Sequence, residues 1–86
     1  MVNRATKTPA TNLLVVRHRD HPGVLAHVFE HLRSGNINVQ ETENVIFEGA
    51  QAAVARINLD GAPSDAVLAA MQRGTADILD LHLVTI

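Results

Sequence analysis

One segment of the sequence combines charged side chains with a sharp turn into a helix. Residues 18–25 read HRDHPGVL. Pro22 fixes its own φ, and Gly23 allows the backbone to turn without a Cβ clash. The first amides of a helix that begins at Val24 therefore point outward without intrahelical partners, at the positive end of the helix dipole. A carboxylate binds favourably at such a helix start.

Two side chains before this turn extend the site towards a second charged group. His18 and Asp20 lie at the rim of the predicted helix start, and the Asp20 carboxylate can accept hydrogen bonds from an ammonium group. A carboxylate receptor beside an ammonium receptor describes a site for a zwitterion such as an amino acid. In the structural alternative, Asp20 caps the helix and the motif is only a turn.

Five histidines in 86 residues is a high number, and two of them have the spacing of a helical metal site. His27 and His31 stand four residues apart, so both project from one side of a helix and can chelate a divalent metal. However, they lie off the apolar stripe, no H-E-x-x-H pattern includes them, and the chain has no cysteine. We therefore expect solvated surface histidines and no metal site. A metal-responsive ferredoxin-like sensor is the alternative.

Two glutamates on a predicted strand are the remaining candidates for chemistry. Glu41 and Glu43 face one side of that strand, as general acid–base residues can. No nucleophile, set of oxyanion donors or Gly-rich phosphate loop accompanies them. The sequence therefore predicts no catalytic residues and no cofactor, and we expect a protein that is not an enzyme.

Two segments have the periodicity of amphipathic helices, with apolar residues three and four positions apart. The first helix begins at Val24 and ends before Gly35, whereas the second has Ser64 as its N-cap and ends at Gly74. Each helix has one apolar stripe that we expect to be buried. The stripes are Leu25, Val28, Phe29 and Leu32 in the first helix and Val67, Leu68 and Met71 in the second.

Four segments have the alternation or β-branched content of strands. They cover residues 12–19, 39–47, 51–59 and 78–86, and Glu48-Gly49 is a hairpin signal between the second and third. The third and fourth strands each have a more apolar face. These faces are Ala53, Ala55, Ile57 and Leu59 in the third strand and Leu79, Leu81 and Leu83 in the fourth, opposite Asp80 and His82.

The order of these elements, βαββαβ, predicts an α+β, ferredoxin-like sandwich. Because each helix has one apolar stripe, both can lie on the same face of a four-stranded antiparallel sheet. We expect a flexible N-terminal tail over residues 1–11 and one domain over residues 12–86. The first strand is apolar on both faces, with Leu13 and Val15 opposite Leu14 and Val16. A second copy of the chain is therefore expected to cover part of the face that the helices leave open.

The composition argues against several classes of partner. The formal net charge is −2, the Lys and Arg residues are scattered, and aromatic residues are 2% of the chain, so nucleic-acid binding is not expected. Without cysteine, disulfides and thiolate chemistry are excluded. No apolar run approaches the ~20 residues that cross a bilayer, and no signal-peptide core is present. We expect a cytoplasmic protein without membrane contacts, and the starting Met1 favours a free-standing domain.

The motifs and their spacing resemble the ACT domain family. Residues 18–25 match its His-x-Asp-x-Pro-Gly-Val-Leu motif after the first strand, and residues 35–39 (GNINV) match the segment after the first helix. The resemblance extends over residues 12–86 and is closest to the C-terminal, serine-sensing ACT domains of the D-3-phosphoglycerate dehydrogenase family. It implies a regulatory amino-acid-binding module that controls an amino-acid biosynthetic enzyme in cis or in trans. The alternative is a purely structural dimerisation module without a ligand.

The resemblance also implies which residues bind the ligand. In the dehydrogenase family, serine is held where two ACT domains pair side by side in a joint eight-stranded sheet, which implies a homodimer. The family's ligand histidine falls on His18, its second polar residue (usually Asn) on Asp20, and the Asn that reaches across from the neighbouring subunit on Asn38. The position before proline, commonly Arg, is His21 here. The predicted ligand-binding residues are His18, Asp20, Gly23, Val24, Leu25 and Asn38.

Overall fold

The computed structural model describes residues 12–47 and 52–85, which form the six predicted elements in the predicted order. The elements are β1 (Asn12–Arg19), α1 (Val24–Ser34), β2 (Val39–Ile46), β3 (Ala52–Leu59), α2 (Asp65–Arg73) and β4 (Ile78–Thr85). The predicted tail over residues 1–11 and the hairpin signal Glu48-Gly49 lie outside the described residues. Neither helix in the described ranges has the length and apolar character needed to span a membrane.

The four strands form one antiparallel sheet in the order β2-β3-β1-β4, which confirms the ferredoxin-like α+β fold. β1 lies between β3 and β4, and Val16 of β1 is opposite Ala55 and Leu81. Residues of both helices join one core with alternate residues of the strands, so both helices pack on the same face. We call the other face of the sheet the open face. It carries Leu13 and Val15, which are only half-buried.

The buried residues of α1 differ in part from the predicted apolar stripe. Val24, Val28 and Leu32 are buried, at positions i, i+4 and i+8 of the helix. Leu25 and Phe29 pack against this core but are only partly buried. The prediction that the whole stripe is buried was therefore wrong for these two residues. The helix turns Val24 and Val28 towards the centre of the core, so Leu25 and Phe29, which follow them directly, lie at its margin.

The C-terminus of α1 ends in a Schellman motif, which positions the chain for its entry into β2. Asn36 adopts a left-handed conformation with φ of 62°. Its amide donates to the carbonyl of Arg33, and the amide of Ile37 donates to the carbonyl of Leu32, both over 2.9 Å. Gly35 follows the last helical residue as predicted, but Asn36 is the residue that provides the positive φ.

β4 departs from the predicted alternation near its start. Leu81 and Leu83 pack against the core as predicted. The register of β4 against β1 shifts close to Ile78, which enters the core and is 5% exposed, whereas Leu79 is 37% exposed. The prediction for Leu79 was wrong because this irregularity exchanges the faces of the two neighbouring residues.

Candidate functional site

The turn before α1 has the conformation that its glycine permits. α1 begins at Val24 as predicted, and Gly23 is its N-cap, with φ of 86° and ψ of −8°. A Cβ atom at Gly23 would meet nothing within 4 Å, so the position needs glycine for its backbone conformation and not for space. No side chain caps the helix. The alternative in which Asp20 caps α1 was therefore wrong.

The first turn of α1 leaves backbone amides open. The amide of Val24 reaches the carbonyl of His21 only over 3.5 Å, and the first regular helical bond runs from His27 to Gly23 over 3.0 Å. Within the described ranges, the amides of Leu25 and Ala26 have no acceptor, and no acidic residue stands in the first turn. These groups form the positively polarised end of the helix.

Asp20 is exposed beside this helix start, between β1 and the turn. Among residues 12–47 and 52–85, its carboxylate has no hydrogen-bond donor or cation as a partner. An exposed carboxylate near open amides gives two opposite charges separated along one loop. That arrangement can accept the ammonium and the carboxylate of one small zwitterion.

The loop that carries Asp20 is anchored to the turn before β4. Nδ1 of His21 donates to the carboxylate of Asp77 over 3.1 Å, and the amide of Arg19 donates to the carbonyl of Asp77 over 2.8 Å. His21 therefore occupies its position before Pro22 as a structural residue that fixes the loop. This contact holds Asp20 and the start of α1 in a defined relation to the sheet.

His18 lies inside the protein and uses both of its ring nitrogens. It is 2% exposed. Its Nδ1 donates to the carbonyl of Arg19 over 2.9 Å, and its Nε2 lies 3.1 Å from Oδ1 of Asn44 in β2. The His18 ring is thus fixed by two intrachain contacts, one of them to the residue directly before Asp20.

Asn38 lies at the other end of the sheet. It precedes Val39, which pairs with Leu59, and Leu59 pairs in turn with Asn12 at the start of β1. Measured along the strand direction, the distance from Asn38 to His18 is therefore roughly 20 Å. Within one chain, His18, Asp20 and the start of α1 lie on one short segment at one end of the sheet, and Asn38 lies at the other end.

Asn38 is held by a clamp to Asp60, the residue after β3. Its backbone amide and its Nδ2 donate to the two carboxylate oxygens of Asp60 over 2.9 and 3.1 Å. The amide of Asp60 donates back to the carbonyl of Asn38 over 3.1 Å. Among residues 12–47 and 52–85 the side-chain oxygen of Asn38 has no hydrogen-bond donor, and the residue is exposed.

The predicted pair His27 and His31 is half-buried, and the expectation of solvated side chains was wrong. Nε2 of His27 donates to the carbonyl of Met71 near the end of α2 over 2.8 Å, and Nδ1 of His31 donates to the carbonyl of His27 over 3.0 Å. A Cβ atom at Gly74 would lie 2.8 Å from Nε2 of His27, so this glycine makes room for the ring. In the part of the chain that the structure describes, no three potential metal ligands cluster.

The pair Glu41 and Glu43 lies on one side of β2, as predicted. They stand opposite Asn58 and Arg56 of β3 and line a shallow, polar groove on the open face. Nδ2 of Asn58 donates to the carboxylate of Glu41 over 3.3 Å. The groove offers charge but no arrangement of nucleophile and base.

Sequence reasoning missed Asn44 and Asp60, the partners of two predicted site residues. Both contacts depend on sheet register: Asn44 meets His18 across an intervening strand, and Asp60 reaches back to the residue before β2. The sequence held one signal for the contact between His18 and Asn44: Ala53 and Ala55 of β3 are small and leave space for two longer side chains to meet across that strand.

Comparisons with known proteins bear on the fold. No protein-family model and no curated protein matches the chain. Among solved structures, a formyltetrahydrofolate deformylase from Pseudomonas putida KT2440 superposes with a TM-score of 0.72 at 17% identity, over 86% of this chain and 28% of the deformylase. The regulatory subunit of aspartate kinase from Thermus thermophilus gives 0.62 at 18% identity, over 90% of this chain and 50% of that subunit.

A third solved structure matches along nearly its whole length. The C-terminal domain of the MgtC protein from Mycobacterium tuberculosis superposes with a TM-score of 0.73 at 13% identity, over 94% of each chain. By contrast, this chain spans less than a third of the deformylase and half of the kinase subunit. The chain thus shares the ferredoxin-like fold of these proteins' matching regions.

Proposed function

We propose that this chain is a non-catalytic regulatory module of the ACT type that binds serine or a related small amino acid. The observation that carries the proposal is the uncapped start of α1 beside the unpartnered carboxylate of Asp20. The fold supports it, and one protein with this fold is the regulatory subunit of an aspartate kinase. The proposed site comprises His18, Asp20, Gly23, Val24, Leu25 and Asn38.

Each charged end of the ligand has its own receptor in this site. The ligand carboxylate binds at the amides of Leu25 and Ala26, where the helix dipole favours negative charge. The ammonium group binds Asp20 through charge-assisted hydrogen bonds. Gly23 provides the left-handed backbone conformation from which the helix starts, and the half-buried Leu25 supplies an apolar wall.

The site is completed by a second copy that pairs along β2. β2 is an edge strand, and all of its residues from Val39 to Ile46 are exposed, so its outer backbone groups are available for pairing. A two-fold axis at this edge places two β2 strands antiparallel. The partner's strand then begins where this chain's β2 ends, so Asn38 of the partner subunit approaches the end of the sheet that carries His18.

Regulation follows from the ligand's position between two subunits. An amino acid that contacts both copies favours one relative orientation of the pair, by as much as its affinity differs between orientations. In the cytoplasm, that shift would change the activity of an amino-acid biosynthetic enzyme such as phosphoglycerate dehydrogenase, fused to the module or associated with it. Serine is the ligand that the resemblance favours.

Titration calorimetry with serine tests the proposal directly. We expect saturable heat with a dissociation constant in the range of about micromolar to millimolar, because a few charge-assisted bonds offset the lost freedom of a small ligand. Asp20→Ala should weaken binding by about 1.5–3 kcal/mol. Asp65→Ala is the matched control, since it removes another exposed carboxylate, at the start of α2 and outside β2.

Three results would reject this function or a part of it. If none of the twenty amino acids gives heat with the wild-type chain while sedimentation shows a dimer, the module is a structural pair. If Asp20→Ala and Asp65→Ala bind serine equally well, the ammonium receptor is misplaced. A monomer at micromolar concentration would remove the bridging mechanism.

A further inference from the structure

The hydrogen bonds of the buried His18 ring depend on one residue of another strand. The carbonyl of Arg19 only accepts, so Nδ1 of His18 carries a hydrogen. With Oδ1 of Asn44 towards the ring, Nε2 must carry a hydrogen as well. With the Asn44 amide turned over, Nδ2 donates to a bare Nε2. In either arrangement Asn44 satisfies a ring nitrogen that has lost its contact with water.

This contact reaches across a whole strand. Asn44 stands opposite Ala55 of β3, and His18 stands opposite Ala53 of the same strand. Both alanines are fully buried and have only a methyl group, so the longer side chains of His18 and Asn44 meet above β3. The edge strand β2 is thereby tied to β1 and not only to its neighbour.

The two ends of this contact belong to different parts of the proposed mechanism. His18 precedes Asp20 by two residues and holds the end of β1 through the carbonyl of Arg19. Asn44 belongs to β2, the edge at which the second copy is proposed to pair. The side-chain hydrogen bond between His18 and Asn44 therefore links the loop before α1 directly to the edge strand β2.

We propose that Asn44 is a positioning residue that fixes the His18 ring and couples the amino-acid site before α1 to the edge strand β2. The inference rests on the proposed function and assigns His18 its role there: the ring holds the carbonyl of Arg19, directly before Asp20, and does not itself bind the amino acid. Its burial and its two intrachain contacts support this role.

The test combines a spectroscopic and a binding measurement on the full chain. Ring 15N signals of His18 are recorded without ligand, and serine affinity is measured by calorimetry. In Asn44→Ala we expect a shifted Nε2 signal and an affinity about fivefold lower or more. Because Asn44 is exposed on an edge strand, this variant should still fold. Thr42→Ala, on the same strand and face, should change neither measurement.

A conservative variant separates the bond from the strand's general integrity. Asn44→Asp keeps an acceptor opposite Nε2, so the ring should show hydrogens on both nitrogens, and the serine affinity should return towards that of the wild type. Suppose that the wild type binds serine. If Asn44→Ala then leaves either the His18 ring signal or the serine affinity unchanged, this inference is overturned while the proposed function stands. Absence of serine binding in the wild type would reject the proposed function, and the coupling with it.

Discussion

The two helices of this chain begin in different ways. At the start of α2, Oγ of Ser64 accepts a hydrogen bond from the amide of Val67 over 3.2 Å, and Asp65 places a carboxylate in the first turn. At the start of α1, Gly23 has no side chain to offer, and the first turn contains no acidic residue. One helix start is satisfied within its own sequence, whereas the other keeps its amides available.

The difference shows how a helix start can serve stability or binding. A side-chain cap with a neighbouring carboxylate stabilises a helix by satisfying its amides and its dipole. The same groups would compete with an external carboxylate at α1. The left-handed Gly23 and the shared core replace local capping there, so the stability of α1 depends on packing. The predictions that follow test this division between the two helix starts.

Removing the shared core should have the largest effect, because it supports both helix starts. Leu32 is fully buried, and Leu32→Ala should lower the free energy of unfolding by about 2–5 kcal/mol. Phe29→Ala should cost less than Leu32→Ala because Phe29 is only partly buried. Chemical denaturation of the three proteins measures both values. A greater loss for Phe29→Ala would show that the core line of α1 is misplaced.

Gly23→Ala should be the next most damaging change, and it acts only through the backbone. The φ of 86° at Gly23 is a conformation that an alanine adopts at a cost of about 1–2 kcal/mol. Gly61→Ala is the matched control, since a Cβ there also meets open space but the residue has no positive φ. The control should stay within about 0.5 kcal/mol of the wild type. Equal melting of the two variants would contradict the conformational argument.

Ser64→Ala should affect stability but not binding. Loss of the cap of α2 should cost about 1 kcal/mol, while the serine affinity of the α1 site should stay unchanged. Thermal melting and calorimetry on the same variant separate the two quantities. An altered affinity would show that α2 takes part in the site, contrary to the division proposed here.

The sequence was sufficient to predict features that depend on local patterns. The start of α1 at Val24, the cap Ser64 and the buried face of β3 all follow from turn residues and periodicity. The irregularity that exposes Leu79 was not predictable, because it arises from the register between β4 and β1. Long-range partners depend on register in the same way.

The candidate site likewise has some features that local sequence predicts and others that depend on register. Asp20 and the open helix start were predicted from neighbouring residues, and within the described residues no side chain caps that start. The Asn44 partner of His18 and the Asp60 partner of Asn38 join segments 26 and 22 residues apart, so no local pattern indicates them. Asn38→Ala removes the hydrogen bond from Nδ2 to Asp60 and should therefore destabilise the free chain as well as weaken binding.

The smallest expected effect is also the sharpest test of the comparison. Ala26→Glu adds a carboxylate to the first turn of α1, and Ala66→Glu adds one to the first turn of α2; both alanines are exposed. Each change should stabilise its helix by about 0.3–1 kcal/mol, because negative charge is favourable near a helix N-terminus. Only Ala26→Glu should also weaken serine binding, since its carboxylate competes for the open amides and repels that of the ligand. Calorimetry and thermal melting on both variants measure these effects, and equal serine affinities would show that the carboxylate of the ligand does not bind at the start of α1.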